Sequence, residues 1–429
     1  MRNLQNKYAL ILKSILITLT LISIGCTPNK AEVDNISLST IKKSDELSES
    51  IIQFNEDSII ANIYLENSGS MFGYVSGGGN FIKVVSTIAG DCDLECSKVN
   101  YNLINEIITP MGNNLSSFTN SLSLSGMNKG NPATSDLNSI FEIVLSKARK
   151  GSISFLISDG IYSVMDDNLI NRLQTESTET RNAFVHRLRE ENLSTYIIKY
   201  SSNFNGKYYP SKGGDVSINQ DRPFYLWVIG NNQDIEKVFA KEYFSKLPGF
   251  IEVAKFVQLS ENSVPAQLSV HNQIGKYKFR NPKILKLTDV EPNRHREFSF
   301  SMAFDFSGIP VATEYFFNNS IYENNLNYKI TEITTPDKIN PTSKAGLVDS
   351  YTHVVTFNKT GYPCGTMNIN IKNSVPDWIE KTHLDDDDDI IGNTSQTFGF
   401  KHLIDGITNA YKKVNNKEDI TQFEIKITQ

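Results

Sequence analysis

The sequence predicts an α/β fold: a doubly wound sheet followed by a mainly antiparallel β-sandwich with one C-terminal helix. Three observations lead there. Between Asp57 and Tyr243, short apolar runs suited to strands buried on both faces alternate with stretches of helical period. Beyond about Phe244, apolar residues instead alternate one-on, one-off, the mark of half-buried antiparallel strands. The chain of 429 residues, 39% hydrophobic and 10% aromatic, also has the material for two ordinary domains. The expected parts are a leader over 1–25, Cys26 and a tether over 26–50, the α/β part over 51–243 and the sandwich over 244–429.

The chain begins as an export signal. Arg2, Lys7 and Lys13 precede an apolar segment from Ser14 to Ile24 that is too short to span a bilayer, and no acidic residue occurs before Cys26. Loss of those three cations with the leader takes the formal charge from −6 to −9, a balance that argues against a nucleic-acid role. Thr27 to about Ser50 is polar without sustained period and reads as a flexible tether.

Ile59, Ile60, Ile63 and Leu65 form the first strand, which ends abruptly in Glu66-Asn67-Ser68-Gly69-Ser70-Met71. Several oxygen donors therefore crowd the carboxyl end of a strand, where open α/β sheets bind ligands. The glycines at 77–79 open a helix over Asn80 to Ala89, with Phe81, Val84, Val85 and Ile88 on one face. Val99, Tyr101 and Leu103 read as an edge strand, and Leu115 to Lys129, rich in Ser, Asn and Gly, as a loop. Asp136 to Lys150 is a helix with its cations toward the C-terminal end, and Ile153 to Ile157 is a core strand ending at Ser158-Asp159-Gly160. Asn171 to Glu191 follows as a charged helix, Thr195 to Tyr200 and Pro223 to Ile229 as strands, and Gln233 to Tyr243 as a closing helix.

In the second part, the runs Phe298 to Phe306, Met367 to Ile371 and Phe423 to Ile427 alternate most clearly. Val253 to Leu259, Gln267 to Ile274, Tyr328 to Ile333 and His353 to Phe357 look similar, and a sandwich packs them best. Phe400, Leu403, Ile404, Ile407 and Tyr411 mark an amphipathic helix before the last strand. Asp385 to Asp389 fails the spacing of a calcium loop and reads as a solvated acidic segment. Cys92 and Cys96 are either a local disulfide or two free thiols, and the six histidines show no paired spacing for zinc.

Two resemblances add to this reading. Ser23-Ile24-Gly25-Cys26 resembles a bacterial lipobox, with Ser23 where leucine is usual; it implies a lipidated Cys26, a membrane anchor, and a folded part outside the cytoplasm, with the outer membrane the expected site. Glu66-Asn67-Ser68-Gly69-Ser70 resembles the DxSxS motif of von Willebrand factor A domains, with glutamate where the family has aspartate. Thr134, on the Gly130 to Leu137 loop, and Asp159 match the family's later motifs in order. The resemblance implies a metal-ion-dependent adhesion site with Glu66, Ser68, Ser70, Thr134 and Asp159 around a divalent cation. Mg²⁺ is expected before Ca²⁺ or Mn²⁺, since neutral hydroxyls and few carboxylates make a small, partly hydrated site. An open coordination position would take an acidic group from a protein or glycan partner.

Taken singly, the same residues have plainer uses: Ser68 and Ser70 in a turn, Thr134 and Asp136 as helix caps, Asp159-Gly160 as a turn pair. Two function classes remain from the sequence, a cation-dependent binding module and a scaffold lipoprotein whose site is degenerate and metal-free. A serine hydrolase is not expected, because the turn lacks a GxSxG elbow and no histidine lies near it in sequence.

Overall fold

The computed structural model describes residues 58–429 apart from 131, 133–134, 165–167, 241, 259–263, 308, 310–312, 341–350, 374 and 417–418. The expected leader, Cys26 and tether, and also Thr134, lie outside the described residues.

A seven-stranded mixed sheet is built from β1 (Ile60–Glu66), β2 (Lys98–Ile104), β3 (Ile108–Gly112), β4 (Ser152–Ser158), β5 (Ser194–Tyr208), β6 (Val216–Gly230) and β7 (Phe250–Phe256), in the order β3-β2-β1-β4-β6-β5-β7. Strand β1 is parallel to both β2 and β4, whereas β3, β6 and β7 pair antiparallel with their neighbours. Apolar residues on both faces of β1 and β4 drive this: Ala61, Ile63, Leu65, Phe155 and Ile157 face one core, Tyr64 and Leu156 the other.

Each face is covered by helices. On the first lie α1 (Phe72–Gly77), α2 (Asn80–Glu95) and the short α3 (Leu115–Asn120) and α4 (Leu124–Met127). The second carries α5 (Leu137–Lys147) and α6 (Leu169–Glu190), while α7 (Asn232–Val238) returns Ile235 to the first core. Helix α2 buries Phe81, Val84, Val85 and Ile88 as its period requires, and α5 is capped by Asp136, which accepts from the Asn138 amide at 3.0 Å. The chain thus leaves β1 across one face toward β2 and crosses the opposite face before β4. The carboxyl end of β1 is the switch point between them.

Two further sheets share a third core. One is five-stranded: β12 (Tyr322–Asn324), β15 (Gly365–Lys372), β18 (Asp419–Ile427), β10 (Lys286–Glu291) and β9 (Lys276–Lys278), all antiparallel except the β10–β18 pair. The other is four-stranded: β13 (Lys329–Thr334), β14 (His353–Thr360), β11 (Glu297–Phe304) and β8 (Ala266–Ile274). Phe298, Phe300, Met302 and Phe304 from the second pack against Met367, Ile369, Ile371, Ile425 and Ile427 from the first. Between β15 and β18 the chain returns to the mixed sheet as α8 (Asp377–Thr382), the two-residue pair β16 (His383–Leu384) and β17 (Thr397–Phe398), and α9 (Phe400–Asn415). Residues Glu56–Gln429 form one compact unit.

Several expectations are corrected. The sheet is mixed, not doubly wound throughout, because the β5–β6 hairpin places β6 antiparallel against β4. The Val99–Leu103 strand is interior, since β3 folds back along its outer side. The segment 115–129 holds two short helices, begun by Asn114 and Ser123 as side-chain caps; the polar composition that reads as loop is also cap composition. Val253 belongs to the mixed sheet as β7, not to the sandwich. The C-terminal part has more than one helix, α8 preceding α9. Of the two alternatives left open for Cys92 and Cys96, free thiols hold, and Cys364 is free as well. Among the described residues no helix is long and apolar enough to cross a membrane.

Candidate cation site at the switch point

Glu66 is the last residue of β1 and is 2% exposed. The turn after it is fixed by the backbone and by Asn67. The Asn67 amide donates to Ile104 O, and its buried side chain donates to Met127 O and Lys129 O at 3.3 and 2.8 Å. Met71 N then closes a 3₁₀ turn on Ser68 O. Gly69 N donates to Pro132 O, which ties Pro132 to the turn, and a Cβ on Gly69 would come within 3.1 Å of the Tyr209 ring. The β5–β6 hairpin thus reaches over the site.

Four of the five expected ligands lie together. Ser68 Oγ and Ser70 Oγ are 3.2 Å apart, and Ser70 Oγ donates to Asp159 Oδ2 at 2.6 Å. Asp159, just beyond β4 and 3% exposed, also accepts from Ile161 N at 3.3 Å. Sequence reasoning missed Ser135, whose hydroxyl donates to Glu66 Oε1 at 2.7 Å. The other oxygen, Oε2, is buried and has no hydrogen-bond partner. Among the described residues neither Glu66 nor Asp159 forms an ion pair.

A buried positive charge that acts on Asp159, Arg222, was also missed. It is 1% exposed, its guanidinium lies over the Tyr208 ring at 4.6 Å and the Phe204 ring at 5.7 Å, and its Nη1 has no partner. Its only sequence signal is a cation at the polar start of the run Pro223 to Ile229.

The electrostatics follow from burial. Desolvation first, and then the charge of Asp159, push the Glu66 carboxyl up to about 7, against the opposing hydroxyls of Ser158, Ser135 and Ser68, of which Ser135 alone forms a hydrogen bond by distance and angle. Asp159 is likewise raised, mainly by desolvation, with the Ser70 hydrogen bond and Arg222 pulling it back. Two carboxyls buried side by side, both raised by desolvation and Glu66 further by the charge of Asp159, need either a proton or a cation between them. Oxygen is the only donor element in the cluster, which suits a hard divalent ion.

The solvated acidic segment is a further correction. Asp387 is buried and accepts from Tyr208 Oη at 2.8 Å, from Ser211 N at 3.0 Å and from Ser211 Oγ at 2.6 Å, so it holds the tip of the hairpin that covers the site. The other aspartates of the run are exposed. Compared with known proteins, the chain matches no family model, no curated protein and no solved structure.

Proposed function

We propose that Glu66, Ser68, Ser70 and Asp159, with Thr134, hold a divalent cation, Mg²⁺ before Ca²⁺ or Mn²⁺, and that the protein uses it to bind an acidic group of a protein or glycan partner. The likeness of these motifs to the adhesion site of von Willebrand factor A domains supports this reading, as does their position at the switch point of the sheet. One observation carries it. Glu66 Oε2 is buried without a partner beside a second buried carboxylate that has no ion pair, and a cation would satisfy both. In the metal-free protein a proton on Glu66 takes that place, and loading releases it. The charges at the site are then the cation, two carboxylates and Arg222, a net excess of one positive, which favours a singly negative ligand. We further propose that Cys26 anchors the protein to a bacterial membrane, the outer membrane before others, with the folded part outside the cytoplasm and the tether holding the site away from the lipid. No enzymatic role is proposed.

The second reading is a metal-free scaffold, favoured by the ease with which Glu66 takes a proton near neutrality. Thermal unfolding of the full-length protein with Mg²⁺, Ca²⁺, Mn²⁺ or chelator separates the two. An ion that binds only the folded state at about 100 times its Kd adds about 2.7 kcal/mol and raises the midpoint. That rise is expected in the parent and is lost in Asp159→Ala and Ser68→Ala. A parent midpoint indifferent to every ion at millimolar levels leaves only the scaffold.

A further inference from the structure

Away from the switch point, His383, Asp385 and His402 bring three metal-ligating side chains to one place. Asp385 Oδ1 lies 3.0 Å from His383 Nε2 and 3.6 Å from His402 Nε2, and all three ligand atoms lie within 4.8 Å of one another. A tetrahedral ion with ligands at 2.0–2.2 Å sets them about 3.3–3.5 Å apart. The two separations from Asp385 bracket that value, and the third is no greater than 4.8 Å.

We propose that His383, Asp385 and His402 form a second cation site, selective for a borderline transition ion such as Zn²⁺, with a fourth position open to water or a small anion. Two imidazoles and one carboxylate prefer Zn²⁺ over Mg²⁺ or Ca²⁺, the reverse of the all-oxygen cluster at Glu66. Three protein ligands leave one position free, and Asp385, 67% exposed at its side chain, turns that position toward solvent.

The ligands are ordered in advance by two elements and by the anchored segment that follows β16. His383 sits in β16, paired parallel with β17, and Gln396 Nε2 donates to its carbonyl at 3.2 Å. His402 lies in the first turn of α9, whose buried face packs on the mixed sheet. Asp385 is two residues from the anchored Asp387. Lys401, the closest cation in sequence, points its charge at Glu380 and Asp405, 3.6 and 3.8 Å away.

One local contact opposes loading. Lys401 N–H donates to His383 Nδ1 at 3.3 Å, so the metal-free imidazole carries its proton on Nε2, where it donates to Asp385. A metal on Nε2 of the neutral imidazole requires the tautomer with its proton on Nδ1, which gives up this long bond. The histidine spacing of 19 residues fits no short zinc motif, which is why the sequence does not show the site.

The test is titration of untagged, metal-stripped full-length protein with Co²⁺ and Zn²⁺, followed by visible absorption and calorimetry in the presence of millimolar Mg²⁺. One equivalent of Co²⁺ with tetrahedral ligand-field bands is expected, displaced by Zn²⁺. Asp385→Ala and His402→Ala should each weaken Zn²⁺ binding at least tenfold, and Asp159→Ala should leave it unchanged. Asp385 is exposed, so its substitution reports on the site without threatening the fold. Absence of the bands, or equal Zn²⁺ affinity in the parent and Asp385→Ala, overturns the proposal and leaves the three residues as a hydrogen-bonded cluster.

Discussion

A carboxylate at position 66 faces opposing demands. As the last residue of β1 it must be buried, yet its charge is poorly accommodated there, with Asp159 adding to the burden. Its folded pKa of about 7 exceeds the ordinary value of 4.5, so between these two the folded state binds a proton that the unfolded state has released. Stability from this group is therefore fully present below about pH 4.5 and lost as pH rises through about 7. The loss is about 3 kcal/mol, from about 1.4 kcal/mol per pKa unit. Chelator-treated protein should then unfold more easily at pH 8 than at pH 5.5, and Glu66→Gln should flatten that part of the profile while abolishing any cation effect. Urea unfolding at the two pH values checks it; a parent-like slope in Glu66→Gln would place the titration elsewhere. The residues legible in the sequence, Glu66, Ser68, Ser70 and Asp159, end apolar runs, and strand ends can be counted along the chain. Ser135, Arg222 and Asp387 were not legible, since each meets the site through a loop or hairpin whose register no local pattern encodes.

Among the elements, α9 shows what periodicity reveals and what it leaves out. Its apolar stripe was evident from Phe400 to Tyr411, but its partner, α6, lies more than 200 residues back in the chain from its end. Gly406 marks the crossing. A Cβ there would meet Ser177 O at 2.6 Å and Thr180 Cβ at 3.0 Å, both held in α6. Gly406→Ala gains helix propensity of about 1 kcal/mol but forces the helices apart, and overpacking of this kind costs about 1–3 kcal/mol. The net expectation is a loss. Gly90, in the interior of α2, is the control, for nothing lies within 4 Å of its added Cβ. Gly90→Ala should stabilise by about 0.5–1 kcal/mol. Denaturant midpoints of the two variants should move in opposite directions, and a shift of the same sign in both would mean that α6 and α9 yield at their contact. Strand β7 escaped correct placement for a related reason: its mixed burial suits an edge strand in either sheet system, and only the pairing with β5 decides.

For the molecule as a whole, the change of period near Phe244 is real but does not mark where the mixed sheet ends. Its seventh strand comes from Phe250–Phe256, and α8 and α9 return from beyond β15 to cover its second face. These returning segments also satisfy buried polar atoms of the sheet. Tyr411 Oη pairs with Thr195 Oγ1 at 2.8 Å, Tyr225 Oη with Thr397 Oγ1 at 2.8 Å, and Lys199 Nζ donates to Thr382 Oγ1 at 2.7 Å. A fragment ending at Tyr243 would exchange those internal hydrogen bonds for bonds to water, a loss of about 0.5–1.5 kcal/mol each. It would also uncover the apolar face now shielded by Phe400, Leu403, Ile404 and Ile407. Such a fragment should therefore express as aggregate or as an expanded species without fixed packing. Size-exclusion chromatography and near-ultraviolet circular dichroism decide the matter. A monomeric fragment with sharp aromatic bands would mean that the first 243 residues fold alone. Aggregation, with one cooperative transition in the intact chain, would mean that the fold around the candidate site at the switch point depends on residues contributed from the far end of the sequence.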